Sequence, residues 1–157
     1  MYNKLSEDDK YQRCVEDIGD LLQKTVRIFQ LFEREQIKVH GFTSSQCHLL
    51  LEILKHDSLT INELSTKMKL EISTVTRVMD NLVRDKLILR KRSTQDKRIV
   101  EALLTEQGKI SALKLQDSIE QYYREVISNL PRGHVREVMN SVELLLTALE
   151  KANHLVP

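Results

Sequence analysis

The sequence predicts a mainly α-helical chain in which one β-hairpin sits between short helices and long ones. Three observations predict it. Apolar residues recur at helical spacing through most of the chain; the period shortens to that of a strand only around residues 87–104; and four glycines and two prolines are all that interrupt 157 residues. The order read from these signals is α1-α2-α3-α4-β-β-α5-α6, in a length that accommodates one domain.

Residues 9–36 read as the first helix. Val15, Ile18, Leu22, Val26, Phe29 and Phe32 step by three and four. Leu21, Ile28 and Leu31 widen this stripe beyond what one small core covers, and His40-Gly41 ends the segment. Thr43-Ser44-Ser45-Gln46 fits a capping box, which opens a second helix to about Lys55 with Cys47, Leu50, Leu51 and Leu54 on its inner face. A second box, Thr60-Ile61-Asn62-Glu63, opens a short helix to about Lys67. After the connector Met68 to Ile72, a fourth helix runs over Ser73–Arg84 with Val75, Val78, Met79 and Leu82 as its buried stripe.

Leu87–Arg92 and Ile99–Leu104 are short, rich in branched apolar residues and separated by the polar stretch Ser93–Lys97, so the pair reads as a hairpin. The second strand is apolar on both faces, which leaves its facing open. Thr105 caps a long helix to about Asn129, and Pro131 starts the last one, to about Ala152. Its stripe is Val135, Val138, Met139, Val142, Leu145, Leu146 and Leu149. A compact lobe at 41–104 therefore lies between outer helices at 5–40 and 105–157. Those outer helices carry more apolar surface than a lone chain leaves in water, which predicts packing on a second copy, a homodimer.

Composition excludes several classes. No apolar run approaches the ~18 residues of a membrane span, and the polar start MYNKLSEDDKYQR is unlike a signal peptide. Two cysteines, Cys14 and Cys47, form no CxxC pair, which fits a reducing cytoplasm. Enzyme signatures are missing: there is no GxSxG, no HExxH and no paired-cysteine zinc motif. Glycines at 19, 41, 108 and 133 build no phosphate-cradling loop, so no cofactor is expected.

Net charge is +1, but residues 67–98 hold ten Lys/Arg against four acids, a local +6 within a remainder of −5. A basic block in an acidic body is the footprint of a phosphate-binding face, although a solvated charged hairpin has the same composition. Its layout narrows the choice. A short capped helix, a brief connector and a second helix with a polar outer face make a helix-turn-helix, and the hairpin behind it makes a wing. The second helix carries Ser73, Thr74, Thr76, Arg77, Asn81 and Arg84 off its apolar stripe. Small hydroxyls at a helix N-terminus approach bases or phosphates closely, and Arg77, one turn in, can fork onto guanine or phosphate. Arg90, Arg92, Lys97 and Arg98 concentrate charge at the hairpin's outer end. Asp96, two residues before Arg98, can hold that guanidinium in the direction a narrow minor groove requires. These residues predict double-stranded DNA as the partner. The alternative is a winged-helix protein-interaction module that uses the same charges on an acidic partner.

Five pieces in register carry a family resemblance over nearly the whole chain. They are Thr43-Ser-Ser-Gln46 with Leu49-Leu50-Leu51; Leu59-Thr-Ile-Asn-Glu-Leu64; Ser73-Thr-Val-Thr-Arg77 with Asp80 and Leu82; Arg90-Lys-Arg-Ser-Thr-Gln-Asp-Lys-Arg98; and Leu104-Thr-Glu-Gln-Gly108. The chain resembles the MarR (multiple-antibiotic-resistance regulator) family of winged helix-turn-helix transcription regulators. The resemblance implies a triangular homodimer with recognition helices in successive major grooves and wings in the minor grooves. It places Asp96 and Arg98 in the family's Asp-Xaa-Arg wing signature. It also implies a repressor that binds a pseudo-palindromic operator and releases it when a small molecule, such as an aromatic acid, enters between the dimer helices and the DNA-binding lobe. His48 and Glu52 are the candidate pocket residues.

Two sharper sites are suggested by relatives. Some sense peroxide through a cysteine in the first helix, where Cys14 lies, but the tyrosine partners expected nearby are not evident. Others bind zinc near Cys47-His48, and His48, Glu52 and His56 share one helix face. Zinc wants four converging ligands, and the fifth helix contains no histidine, so no metal is expected. His48 is then a solvated or pocket-lining residue, and Cys47 packs in the apolar stripe.

Overall fold

A computed structural model describes residues 6–92 and 98–153. It forms two compact units, residues up to 115 and residues from 116 onward. Among the described residues, six helices and three strands run in the order α1 (Glu7–His40), α2 (Ser44–His56), β1 (Ser58–Thr60), α3 (Ile61–Met68), α4 (Ile72–Arg84), β2 (Ile88–Arg92), β3 (Val100–Leu104), α5 (Glu106–Ser128) and α6 (Val135–Asn153).

Local chemistry sets the helix starts. Ser6, Thr43 and Thr60 each accept from the backbone N–H three residues on, while Asp9, Gln46 and Glu63 reach back to the cap residue's N–H. The last two boxes are the ones the sequence predicts. The first, at Ser6, starts α1 at Glu7, two residues before the expected start at residue 9. Helix α1 ends at Gly41 in the left-handed conformation. Lys69 takes the same conformation after α3, and its N–H returns to Ser65 and Thr66, which makes the tight connector between α3 and α4.

The first unit's core is one cluster. Leu49, Leu50 and Ile53 of α2 meet Leu64 of α3, Val75, Val78, Met79 and Leu82 of α4, Leu59 of β1, Leu87, Ile88, Ala102 and Ala112. All four residues expected on α4's inner stripe are buried. In α2 the stripe is rotated. Leu49 and Ile53 are buried, whereas Leu51 and Leu54, expected inside, are half-buried. The run Leu49-Leu50-Leu51-Glu52-Ile53-Leu54 is apolar over more than half the helix circumference, so spacing alone cannot choose the inner side.

The hairpin lies where the sequence puts it, but the sheet has a third strand. β1 pairs antiparallel with β3, as does β2, giving the order β1-β3-β2. β1 holds a single apolar residue, Leu59, in Ser58-Leu59-Thr60, too short for any alternation to show. Pairing with β1 also settles how β3 faces: Ala102, opposite Leu59 and Arg90, points into the core.

The start of α5 is pinned to the turn between α4 and β2. Thr105 donates its N–H to the Leu87 carbonyl (3.0 Å) and its hydroxyl to the Lys86 carbonyl (2.7 Å), and Gly108 donates to the Thr105 hydroxyl (3.0 Å). Gly108 lies so close that a Cβ there would fall 1.9 Å from the Leu87 oxygen.

In the second unit α6 begins later than expected. Pro131 lies in a turn, with Gly133 at φ +86° and the His134 N–H returning to the Pro131 carbonyl (3.1 Å). The helix starts only at Val135, after His134 places its imidazole 2.8 Å from Glu137. Proline also suits a tight turn, and Gly133 in the left-handed region, two residues before the stripe begins at Val135, decides for the turn. Neither α1 nor α6 contains a fully buried residue.

Candidate nucleic-acid interface

Helix α4 buries one side and offers the other. Ser73 and Arg77 are exposed, and Thr74, Thr76 and Asn81 half-buried; Arg84 is exposed at the C-terminal end. The Thr76 hydroxyl is turned inward on the helix, donating to the Ile72 carbonyl at 2.8 Å, so its methyl is what it presents outward. Unlike α1, α2 and α3, this helix has no side-chain cap: Glu71 at the N-cap makes no capping hydrogen bond. The Thr74 N–H turns back to the Glu71 carbonyl (2.9 Å), and the N–H groups of Ile72 and Ser73 are left without a capping side chain beside a cationic surface. Arg77 makes no ion pair with any described residue, whereas Arg84 leans on Asp85 at 3.4 Å.

The wing carries its charge by strand alternation. Ile88, Arg90 and Arg92 share the face of β2 that meets the core at Ile88, and Lys91 stands on the other, opposite Glu101. Arg90 does not reach solvent alone; its guanidinium pairs with Asp80 of α4. Arg92 is exposed at the end of the strand, and Arg98, also exposed, begins the return. Asp96 and Lys97 lie outside the described residues, so the Asp96–Arg98 contact expected of the wing falls outside them too.

Arg98 lines an open groove of about 370 Å³ with Thr60, Ile61, Asn62, Ile99 and Val100. The structure thus brings a wing arginine to the first turn of α3. Asn62 belongs to this cationic margin, and the sequence reading missed it. Its signal was available: a polar residue in the first turn of the leading helix of a helix-turn-helix. Asp80 was missed as a site residue because its partner is ten positions away on another element.

The candidate pocket residues stand on α2. His48 is exposed, and Glu52 is half-buried with its carboxylate 3.6 Å from the His56 imidazole. Among the described residues no cluster of three His, Cys, Asp or Glu is arranged to hold a metal. Cys14 is exposed and Cys47 buried. Burial, with the Glu33 carboxylate nearby, pushes the Cys47 thiol up to about 11, away from thiolate chemistry. Glu33 also accepts from the Ser44 hydroxyl at 2.9 Å, which ties α1 to the start of α2. No helix among the described residues is long and apolar enough to cross a membrane.

A capped helix, a left-handed turn, a helix with a polar face and a basic two-stranded wing define a winged helix-turn-helix transcription regulator. Comparison with known proteins gives the family. The MarR family model matches residues 42–100, from the start of α2 into the wing. The helix-turn-helix transcriptional repressor MdtR of Bacillus subtilis (strain 168) is 32% identical over 98 residues, covering 62% of this chain and 63% of MdtR. The helix-turn-helix transcriptional regulator SarR of Staphylococcus aureus (strain USA300) is 30% identical over 115 residues, 70% of this chain and 96% of SarR. The crystal structure of a MarR transcriptional regulator from Methanosarcina mazei Go1 superposes with a TM-score of 0.71 at 25% identity, over 87% of this chain and 99% of that one. The chain belongs to the MarR family, and is a transcription regulator rather than an enzyme.

Proposed function

We propose that this protein is a cytoplasmic homodimeric repressor that grips a pseudo-palindromic operator in duplex DNA and lets go when a small molecule binds. The observation that carries the DNA reading is the pairing of two cationic elements in one lobe. The uncapped α4 presents Ser73, Thr74, Thr76, Arg77, Asn81 and Arg84, and the wing beside it presents Arg92 and Arg98, with Asp96 and Lys97 between them in sequence and Arg90 paired to Asp80 at the wing's root. A helix of this width fits a major groove, and arginines at a hairpin end suit the adjoining minor groove.

The homodimer rests on exposed apolar surface. Leu21 and Leu31 of α1 and Leu144 and Leu146 of α6 are each more than half exposed in the single chain. Monomeric proteins rarely leave such stripes in water, and a second copy supplies the matching stripes by symmetry. Two reading heads one helical turn apart then meet two half-sites. For the effector, His48 and Glu52 share a face of α2 with half-buried Leu51, an apolar strip with polar flanks that suits an aromatic acid.

Gel shifts on the protein's own promoter region test the assignment. Arg77→Ala and Arg98→Ala are each expected to cost about 1–3 kcal/mol of affinity while sedimentation still shows a dimer. Unchanged affinity in both variants, or only monomers at micromolar concentration, refutes it. Preference for duplex DNA over heparin separates this reading from a protein-interaction module.

A further inference from the structure

We propose that Asp80 withholds Arg90 from the DNA backbone, so that this ion pair limits sequence-independent binding; this rests on the DNA-binding reading above. The placement is unexpected for a phosphate-facing surface. Arg77, Asp80 and Arg84 follow one another at i, i+3 and i+7, so a carboxylate stands between the two arginines on the outer side of α4. A bare carboxylate there repels phosphate. Arg90, reaching across from β2, covers it.

The pair is badly placed to serve the fold. The Arg90 side chain is 36% exposed and that of Asp80 54%, and ion pairs that open to water contribute little to stability. It is well placed to govern charge. β2 carries Arg90, Lys91 and Arg92 in succession, and an unopposed Arg90 would add one more phosphate ligand per subunit. Phosphate contacts raise affinity for every sequence alike, whereas base contacts discriminate. Neutralising Arg90 from within the reading helix therefore keeps non-operator affinity down without removing a base contact. It also fixes the wing root to the helix that reads the bases, which makes Asp80 a positioning residue for the wing.

The test is the salt dependence of binding to an operator duplex and to a scrambled duplex, for wild type, Asp80→Asn, Arg90→Gln and the double variant. Asp80→Asn frees one arginine in each subunit. Its slope of log affinity against log salt should steepen by about 1.8 for a dimer, an extra loss of about 12-fold between 50 and 200 mM salt. Its affinity for the scrambled duplex should rise and its operator preference fall. Arg90→Gln uncovers the carboxylate and should weaken binding to both duplexes; adding Asp80→Asn should restore both affinity and the wild-type slope. A purely structural pair would instead change the melting temperature and leave slope and preference alone. An Asp80→Asn slope equal to wild type, loss of DNA binding in that variant, or a double variant that fails to rescue Arg90→Gln each overturns the proposal. Wild-type protein that binds neither duplex overturns the DNA-binding reading itself, and is distinguishable because no variant need be made to see it.

Discussion

Replacing Gly108 by alanine should destabilise the protein although it puts a better helix former into a helix. The methyl would lie 1.9 Å from the Leu87 carbonyl oxygen and 2.8 Å from its carbon. Both are backbone atoms, so no rotamer change relieves the contact. Reaching an ordinary separation of about 3.4 Å requires the first turn of α5 to move by roughly 1.5 Å. That movement stretches the Thr105 N–H to Leu87 bond (3.0 Å) and the Thr105 hydroxyl to Lys86 bond (2.7 Å). Each such bond contributes about 1 kcal/mol. Overpacking at a rigid contact adds about 1–3 kcal/mol. The gain in helix propensity returns about 1 kcal/mol. The net expectation is a loss of about 2–4 kcal/mol, or roughly 5–15 °C in melting temperature for a chain of this size. Urea unfolding followed by circular dichroism measures it, with both proteins at one concentration because a dimer's stability depends on it. A Gly108→Ala protein as stable as wild type would show that α5 does not bear on Leu87 as described, and the reasoning would fail.

Four further outcomes are expected. Thr60→Ala removes the cap of α3 and should cost about 1 kcal/mol in the same assay. The Thr60 backbone and side-chain hydrogen bonds hold the Glu63 carboxyl below its ordinary 4.5. A lowered folded-state value means stability that is present above about pH 4.5 and is lost as pH falls through the lowered one. Glu63→Gln should therefore flatten the acid limb of a stability–pH curve, and an unchanged limb counts against the capping box. With the Cys47 thiol at about 11 and buried, a Cys14→Ser variant should show no thiol reacting with a disulfide reagent at pH 8 until denaturant is added. Rapid native labelling would contradict the burial of α2. Gly133→Ala forces a side chain into the left-handed region at φ +86° and should lower stability by about 1 kcal/mol, read by the same unfolding curves.

What the sequence determined by itself was carried by neighbours along the chain. Thr43 with Gln46, and Thr60 with Glu63, announce two helix starts because a capping box closes within four residues. Val75, Val78, Met79 and Leu82 announce a buried stripe because polar residues flank it, so only one side of the helix can face inward. The polar face of α4 and the charged strand were legible for the same reason. Tertiary structure decided wherever the sequence was ambiguous locally or the partner was remote. The apolar run of α2 offered more than one inner face, and packing against α4 and β1 selected Leu49 and Ile53 over Leu51 and Leu54. Strand β1 is held by hydrogen bonds to residues more than forty positions away, which three residues of sequence cannot advertise. Asp80 meets Arg90, and Gly108 meets Leu87, only after the chain has turned back on itself, because periodicity records which side of an element is apolar and not what will be brought against it.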